Sequence, residues 1–211
     1  MIANNNNNNN NIDDIYNYGT EERINKLKSV IDKRQKSVTI VMENIDNPHN
    51  VSACLRSCDA VGILDVCLVY DEMHKFPKMG EASSASARKW VGQRKFNSIR
   101  ECYDILRQEG KKIYTTHLSK DSISLYSMDL TKHIALVFGN EHSGVSDEAT
   151  ELADGNFLIP QIGVVQSLNI SVACAVSVYE VFRQRFIANK FENSELSQSE
   201  KHNILKEWLL K

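Results

Sequence analysis

No run of apolar residues in the 211-residue chain approaches the ~20 needed to cross a bilayer, which excludes a membrane-spanning segment. The opening stretch, Met1 to Asp14, has neither a basic region nor an apolar core, so it does not read as a secretory signal. A cytoplasmic protein is the expectation. The five cysteines, Cys54, Cys58, Cys67, Cys102 and Cys174, are odd in number and form no CxxC pair. They suit neither a disulfide framework nor a metal centre, and read as small, buried, reduced side chains. Also missing are the Gly-x-Gly-x-x-Gly turn and the phosphate loop ending in Gly-Lys, which argues against an ordinary dinucleotide or triphosphate site. Asn50-Val51-Ser52 and Asn169-Ile170-Ser171 match the glycosylation sequon, but without a secretory signal the match has no consequence.

An excess of one charge is lacking as well: the formal net charge is −2. Its distribution is uneven. Between Arg23 and Lys36 stand six basic residues and one acid, Asp32. From Ala82 to Arg100 there are five basic residues and no acid, with Trp90 and Phe96 among them. Basic clusters interleaved with aromatics suit a phosphate backbone and exposed bases, although any one cluster alone reads as solvated surface. Hydrophobic content of 42% and charged content of 25% are those of an ordinary globular protein.

Residues 1–19, with eight asparagines from Asn4 to Asn11, form a low-complexity tail that cannot build a core. Thr20 is placed to cap a helix over Glu21 to Arg34, apolar on one face and basic on the other. Val38 to Met42 reads as a buried strand, and Val51 to Val61 as a helix ended by Gly62. Asp65 to Tyr70 is a second strand, and Glu81 to Ala87 a mobile loop or broken helix. A helix over Ser98 to Glu109 then precedes strands at Lys112–Thr116 and Ile134–Phe138. The apolar run Phe157 to Ile159 leads through a polar loop into a long helix starting at Ser167, with Ser167 or Asn169 as its cap. Alternation of strand and helix predicts an α/β fold: a mainly parallel sheet, helices on both faces, and a ligand edge at the strands' C-terminal ends. The expected division is a core domain over 20–190 and a helical extension over 191–211, whose apolar side carries Ile204, Leu205, Trp208 and Leu209. Packing on the first helix or on a partner subunit is its expected use.

Polar constellations fall at three strand ends: Asn47-Pro48-His49-Asn50 followed by Arg56, Gly139-Asn140-Glu141 with Gly144 and Ser146, and Ser167-Leu168-Asn169. Residue chemistry alone reaches an α/β protein with a strand-end pocket. The three stretches together go further. Asn47 through Arg56 to Gly62, Phe138 to Ser146, and Ile159-Pro160 through Asn169 to Tyr179-Glu180 resemble, in order and spacing, the motifs of the SpoU–TrmH RNA 2′-O-ribose methyltransferases of the SPOUT superfamily. The resemblance spans about Arg23 to Arg185. Glu43-Asn44, Cys58 to Gly62, Val165 to Asn169 and Arg183-Gln184-Arg185 look most like the TrmH type, which methylates a D-loop guanosine of tRNA. Departures are the asparagine tail and Ile162, where Met is common.

The resemblance implies a C-terminal deep trefoil knot, which general topology would reject, and a homodimer. It implies S-adenosylmethionine as cofactor, held by Thr116, Gly139, Ile159 and Leu168, with Gly139 allowing close approach of the adenosine. Arg56 would be the catalytic arginine, oriented by Asn50, with Glu141, Ser167 and Asn169 completing the site. A free guanidinium loses its proton only above about pH 12, so the role of Arg56 stays open between general base and stabiliser of a developing alkoxide. Contacts to tRNA would come from His49, Arg183, Arg185, Arg23 and Lys26, and neither DNA nor a membrane is an expected partner. Alternatives are methylation of ribosomal RNA or another tRNA nucleotide, a non-catalytic RNA-binding protein, and an enzyme of small nucleotides.

Overall fold

The computed structural model describes residues 19–76, 87–117 and 121–211. All but Gly19 of the expected tail, and all but Ala87 of the expected loop at 81–87, lie outside those residues. Seven strands form one sheet: β1 (Val38–Glu43), β2 (Asp65–Val69), β3 (Gly92–Phe96), β4 (Lys112–Thr116), β5 (Ile123–Ser124), β6 (Ile134–Phe138) and β7 (Gly155–Leu158). The order across it is β3-β2-β1-β6-β4-β7-β5, with every pairing parallel. β1 and β6 occupy the middle, and every residue of both is buried. A strand covered on both faces has no solvent side, which is why β6 reads as an unbroken apolar run and β1 as one interrupted only by Thr39 and ended by Glu43.

Successive side chains of a strand point to opposite faces. Val38, Ile40 and Met42 of β1 join Leu136 and Phe138 of β6 against α2 (Pro48–Ala60) and α6 (Ile170–Ile187). Val41, with Ala135 and Val137, faces α4 (Ile99–Gln108) and α5 (Asp147–Leu152) instead. Full burial of one such side chain is worth about 1.5–3 kcal/mol, so these two layers carry the fold. α3 (Ala87–Trp90) precedes β3 at the sheet edge.

α1 (Glu21–Asp32) and α7 (Gln198–Leu209) pack on each other through Ile24, Leu27, Ile31, Leu205, Trp208 and Leu209. Trp208 also meets the Trp90 ring edge-on at 5.2 Å, tying α7 to the core. Of the two expected uses of the C-terminal helix, packing on the first helix is the one observed. All five cysteines are buried and free. No described helix is long and apolar enough to cross a membrane.

The first helix stops two residues short of the expected Arg34. That side chain is fully buried, bonding Ile63 O at 3.0 Å and pairing with Asp59. Gly62, at φ 86°, follows α2 as anticipated, and Gly110, at φ 76°, follows α4. α6 begins at Ile170, not Ser167, because Asn169 is the residue whose side chain accepts from a first-turn amide, Ser171 N at 2.9 Å.

Candidate active site at the C-terminal strand ends

Four strands deliver their C-terminal ends to one rim. β4 ends at Thr116, β6 at Phe138 before Gly139, β7 at Leu158 before Ile159, and β1 leads through a turn into α2. A cavity of about 480 Å³ opens there, lined by Thr116, Gly139, Ile159 and Leu168 together with Glu141 and Ser167. Its size lies within the range of small-molecule sites. Among the described residues, the backbone of 161–168 bonds to no other backbone group, so its amides and carbonyls are open to a ligand.

Gly139 has a different reason to be glycine from the one expected. A Cβ there would sit 2.1 Å from the Gly144 carbonyl carbon and the Val145 nitrogen. The loop folds back over its own start, and that close approach, rather than a ligand, takes the space. Thr116 donates its hydroxyl to Val137 O at 3.1 Å, leaving its backbone as its contribution to the cavity.

Beside the cavity, side chains from all three constellations meet. Asn50, in the first turn of α2, donates Nδ2 to Glu141 Oε1 at 2.6 Å. Asn169, the cap of α6, donates Nδ2 to Asn50 Oδ1 at 3.4 Å and accepts from Ser171 N and Oγ at 2.9 and 2.6 Å. Asn47 caps α2 by accepting from His49 N at 2.9 Å, which aims that first turn at the rim. Asn50 therefore does not orient Arg56, as the sequence suggested; its partners are Glu141 and Asn169. Arg56 lies further along α2, exposed, and forms no hydrogen bond or ion pair with a described residue. Six positions on a helix place it about 120° around the axis from Asn50, so one face cannot carry both.

Of the residues expected to meet RNA, Arg23, Lys26 and His49 are exposed. The exposed Arg183 is held by Glu180 at 2.7 and 2.8 Å. Arg185 requires a correction. It is fully buried, bonding Leu130 O at 3.0 Å, Gln35 Oε1 and Ser37 Oγ at 2.8 Å each, and Lys132 O at 2.6 Å, with Glu195 at 3.2 Å. Burial draws its pKa below the ordinary arginine value, against the pull of Glu195. Such a guanidinium anchors the end of α6 and has no donor left for a phosphate.

Sequence reasoning named two further residues of the rim without giving either a role. Glu43, at the end of β1, accepts from Ser146 N at 2.9 Å and Ser146 Oγ at 2.6 Å, and burial raises its pKa against those bonds. Asn140 accepts from His142 N at 2.8 Å, two residues on, the local pattern typical of Asn in turns. That pattern was available from its place beside Gly139; its long-range partners were not.

The comparisons with known proteins agree with this geometry. The model of the SpoU rRNA Methylase family matches residues 37–179, which include all three constellations and both central strands. This chain belongs to that family. It is 40% identical over 192 residues to a tRNA (guanosine(18)-2′-O)-methyltransferase of Thermus thermophilus, covering 91% of this chain and 98% of that protein. The crystal structure of the A. aeolicus TrmH/SpoU tRNA modifying enzyme superposes with a TM-score of 0.84 at 38% identity, covering 90% of this chain and 96% of that one. At 22% identity, the SpoU methyltransferase AviRb from Streptomyces viridochromogenes, solved with AdoMet, shares the fold with a TM-score of 0.63, covering 74% and 61%.

Proposed function

We propose that this protein transfers a methyl group from S-adenosylmethionine to the ribose 2′-hydroxyl of guanosine 18 in the D-loop of tRNA. The observation that carries this reading is the meeting of Asn50, Glu141 and Asn169 at the mouth of the rim cavity, in a chain 40% identical to a tRNA guanosine-18 enzyme over 91% of its length. The cavity suits the cofactor. Its walls join apolar side chains, Ile159 and Leu168, to the unpaired backbone of 161–168, which can hold the edges of an adenine and a ribose. When bound, S-adenosylmethionine supplies an electrophilic methyl group on a cationic sulfur.

A ribose hydroxyl is a poor nucleophile, so the protein's own groups must hold it in line and stabilise charge as its proton leaves. Arg56 carries that charge: its guanidinium, free of partners among the described residues, meets the developing alkoxide and the adjoining phosphate. Glu141 and Asn50 fix the approach of the ribose, with Asn169 bonded to Asn50 and Ser167 lining the cavity beside them. His49, Arg183, Arg23 and Lys26 bind tRNA phosphates.

The reading includes a homodimer. Val172, Tyr179 and Phe186 recur every seven residues along α6 and are exposed, and Ile162, Val164 and Val165 extend that apolar surface beside the cavity. It also includes a deep trefoil knot, in keeping with the chain after β7 and the Gly139–Val145 loop lining one cavity. Five free buried cysteines suit a reducing, cytoplasmic setting.

The test is methyl transfer from labelled S-adenosylmethionine to an unmodified tRNA transcript, with the product mapped. A 2′-O-methylguanosine at position 18 is the expected product. Labelling of ribosomal RNA alone would overturn the substrate, and labelling of no RNA would overturn the enzyme.

A further inference from the structure

Glu141 lies in the loop after β6 and Asn50 in the first turn of α2, both beyond Met42 and Phe138, the last residues that pair β1 with β6. Sheet hydrogen bonds therefore cannot set their mutual register. We propose that Asn140 is a positioning residue for methyl transfer, fixing the Glu141 loop onto the turn that launches α2. The proposal rests on the functional reading above.

Asn140 is 8% exposed, and its side-chain amide works in two directions. Oδ1 faces its own loop, accepting from His142 N at 2.8 Å and Ser143 N at 3.3 Å. Nδ2 crosses to the other loop, donating to Asn44 O at 2.7 Å and Asp46 Oδ2 at 2.9 Å. Both amide hydrogens and the carbonyl are thus in use. Its backbone exchanges two bonds with Gly144, each 2.9 Å, which close the loop on itself.

The turn on the far side is itself braced. Asn44, at φ 52°, is bonded to Asp71 through both ends of its amide, at 2.8 and 3.2 Å. Asp46 directly precedes Asn47, the cap of α2. Asn140–Asp46 and Glu141–Asn50 are consequently two rungs between the loop after β6 and the segment that turns from β1 into α2, with Asn140 and Glu141 adjacent on one side and Asp46 and Asn50 four residues apart on the other. The rung anchored on the buried Asn140 sets where the exposed one can form. A misplacement of about 1 Å at a reacting centre can cost about 100-fold in rate, so the inner rung bears on transfer without touching substrate.

Only an amide supplies donors on one side and an acceptor on the other. Asn140→Asp keeps the acceptor, loses both donors and sets a second carboxylate against Asp46. Asp46→Asn in the same chain returns a donor, now pointing the other way. The experiment measures steady-state transfer from labelled S-adenosylmethionine to unmodified tRNA transcript for wild type, each single variant and the double, with thermal unfolding and cofactor affinity alongside. Asn140→Asp is expected to lower kcat at least about tenfold. Its KM for tRNA and its Kd for S-adenosylmethionine should stay within about threefold, because the Gly144 bonds still shape the cavity wall. The double variant should regain much of the lost kcat, against the product of the single losses expected of independent sites.

A wild-type kcat in Asn140→Asp, a double variant no better than that product, or a kcat loss that follows loss of folded protein would overturn this role. A wild type that methylates no RNA would overturn the functional reading and this role with it; an active wild type with an unaffected Asn140→Asp overturns this role alone.

Discussion

At the N-terminal ends of β1, β2 and β6, charged side chains are buried or half-buried and paired with acceptors of the protein itself. Arg185 is enclosed by acceptors, Lys111 Nζ lies between Glu109 and Thr39 at 2.7 and 2.8 Å, and Arg94 is paired with Glu109 and Asp65. At the C-terminal ends of the parallel strands, Asn50, Glu141 and Asn169 lie at the surface beside an open cavity, and further along α2 Arg56 projects without a partner among the described residues. Two arginines on packed helices, 56 and 185, thus have opposite fates. A buried charge such as Arg185 spends its donors on the protein itself. An exposed one keeps its donors for a ligand. The protein is locked at one end of its sheet and left open to chemistry at the other.

Exchanging an alanine into each end would break or sharpen that contrast. Arg185→Ala leaves Glu195 and several carbonyls unmatched and should cost about 3–5 kcal/mol. For a chain of this size that is a fall in Tm of about 10 °C, read by circular dichroism. The molecules that stay folded should retain their affinity for tRNA. A variant with unchanged Tm and weakened tRNA binding would move Arg185 to the RNA surface after all.

Arg56→Ala should do the reverse. Its Tm should stay within about 1 °C of wild type, as for other exposed substitutions. Its kcat should fall about 100- to 1000-fold, the usual cost of losing one group that stabilises transition-state charge. Near-normal turnover would remove Arg56 from the mechanism.

Glu200 offers a smaller test on the locked side. Bonds from Lys36 and Ser197 hold its carboxyl down to about 2, against an ordinary 4.5. A folded pKa below the unfolded one contributes stability that is present above about 4.5 and lost as pH falls through about 2. The pair is largely solvent-exposed, so the contribution is about 1 kcal/mol. Glu200→Gln should therefore lower Tm by about 3 °C at pH 7 and leave it unchanged at about pH 2. An equal loss at both values would mean that the charge is irrelevant.

The smallest effect belongs to Arg183, already held by Glu180. Arg183→Ala should weaken tRNA binding about threefold and lower the slope of log affinity against log salt by at most about one. An unchanged slope would show that it makes no phosphate contact.

Much of this architecture could be read before the structure was seen, and the exceptions have physical causes. β1, β2 and β6 stand out because burial makes them largely apolar runs, and β4 by its β-branched and aromatic residues after Gly110. β3, with the sequence Gly92-Gln93-Arg94-Lys95-Phe96, is an edge strand, and its charges read as an RNA-binding cluster although Arg94 is paired with Glu109 after α4 and Asp65 of β2. β5 has two residues and no pattern to detect. Helix ends marked by Gly62 and Gly110 were legible because only a left-handed residue continues the chain there. The arginines were not. The acceptors around Arg185 come from Gln35, Ser37, Leu130, Thr131, Lys132 and Glu195, and nothing local distinguishes that position from Arg183 two residues earlier. The partners of Asn50 stand 91 and 119 residues away, so the motifs announced a shared site but not which side chains in it touch.

The central claim is that one ribose hydroxyl of tRNA accepts the methyl group. Two transcripts differing by a single oxygen test it most directly: unmodified tRNA, and the same molecule with 2′-deoxyguanosine at position 18. With labelled S-adenosylmethionine, the first should take up about one methyl group per molecule at completion, and the second none while still binding and competing with the first. Equal labelling of the two would place the methyl group elsewhere and contradict the account.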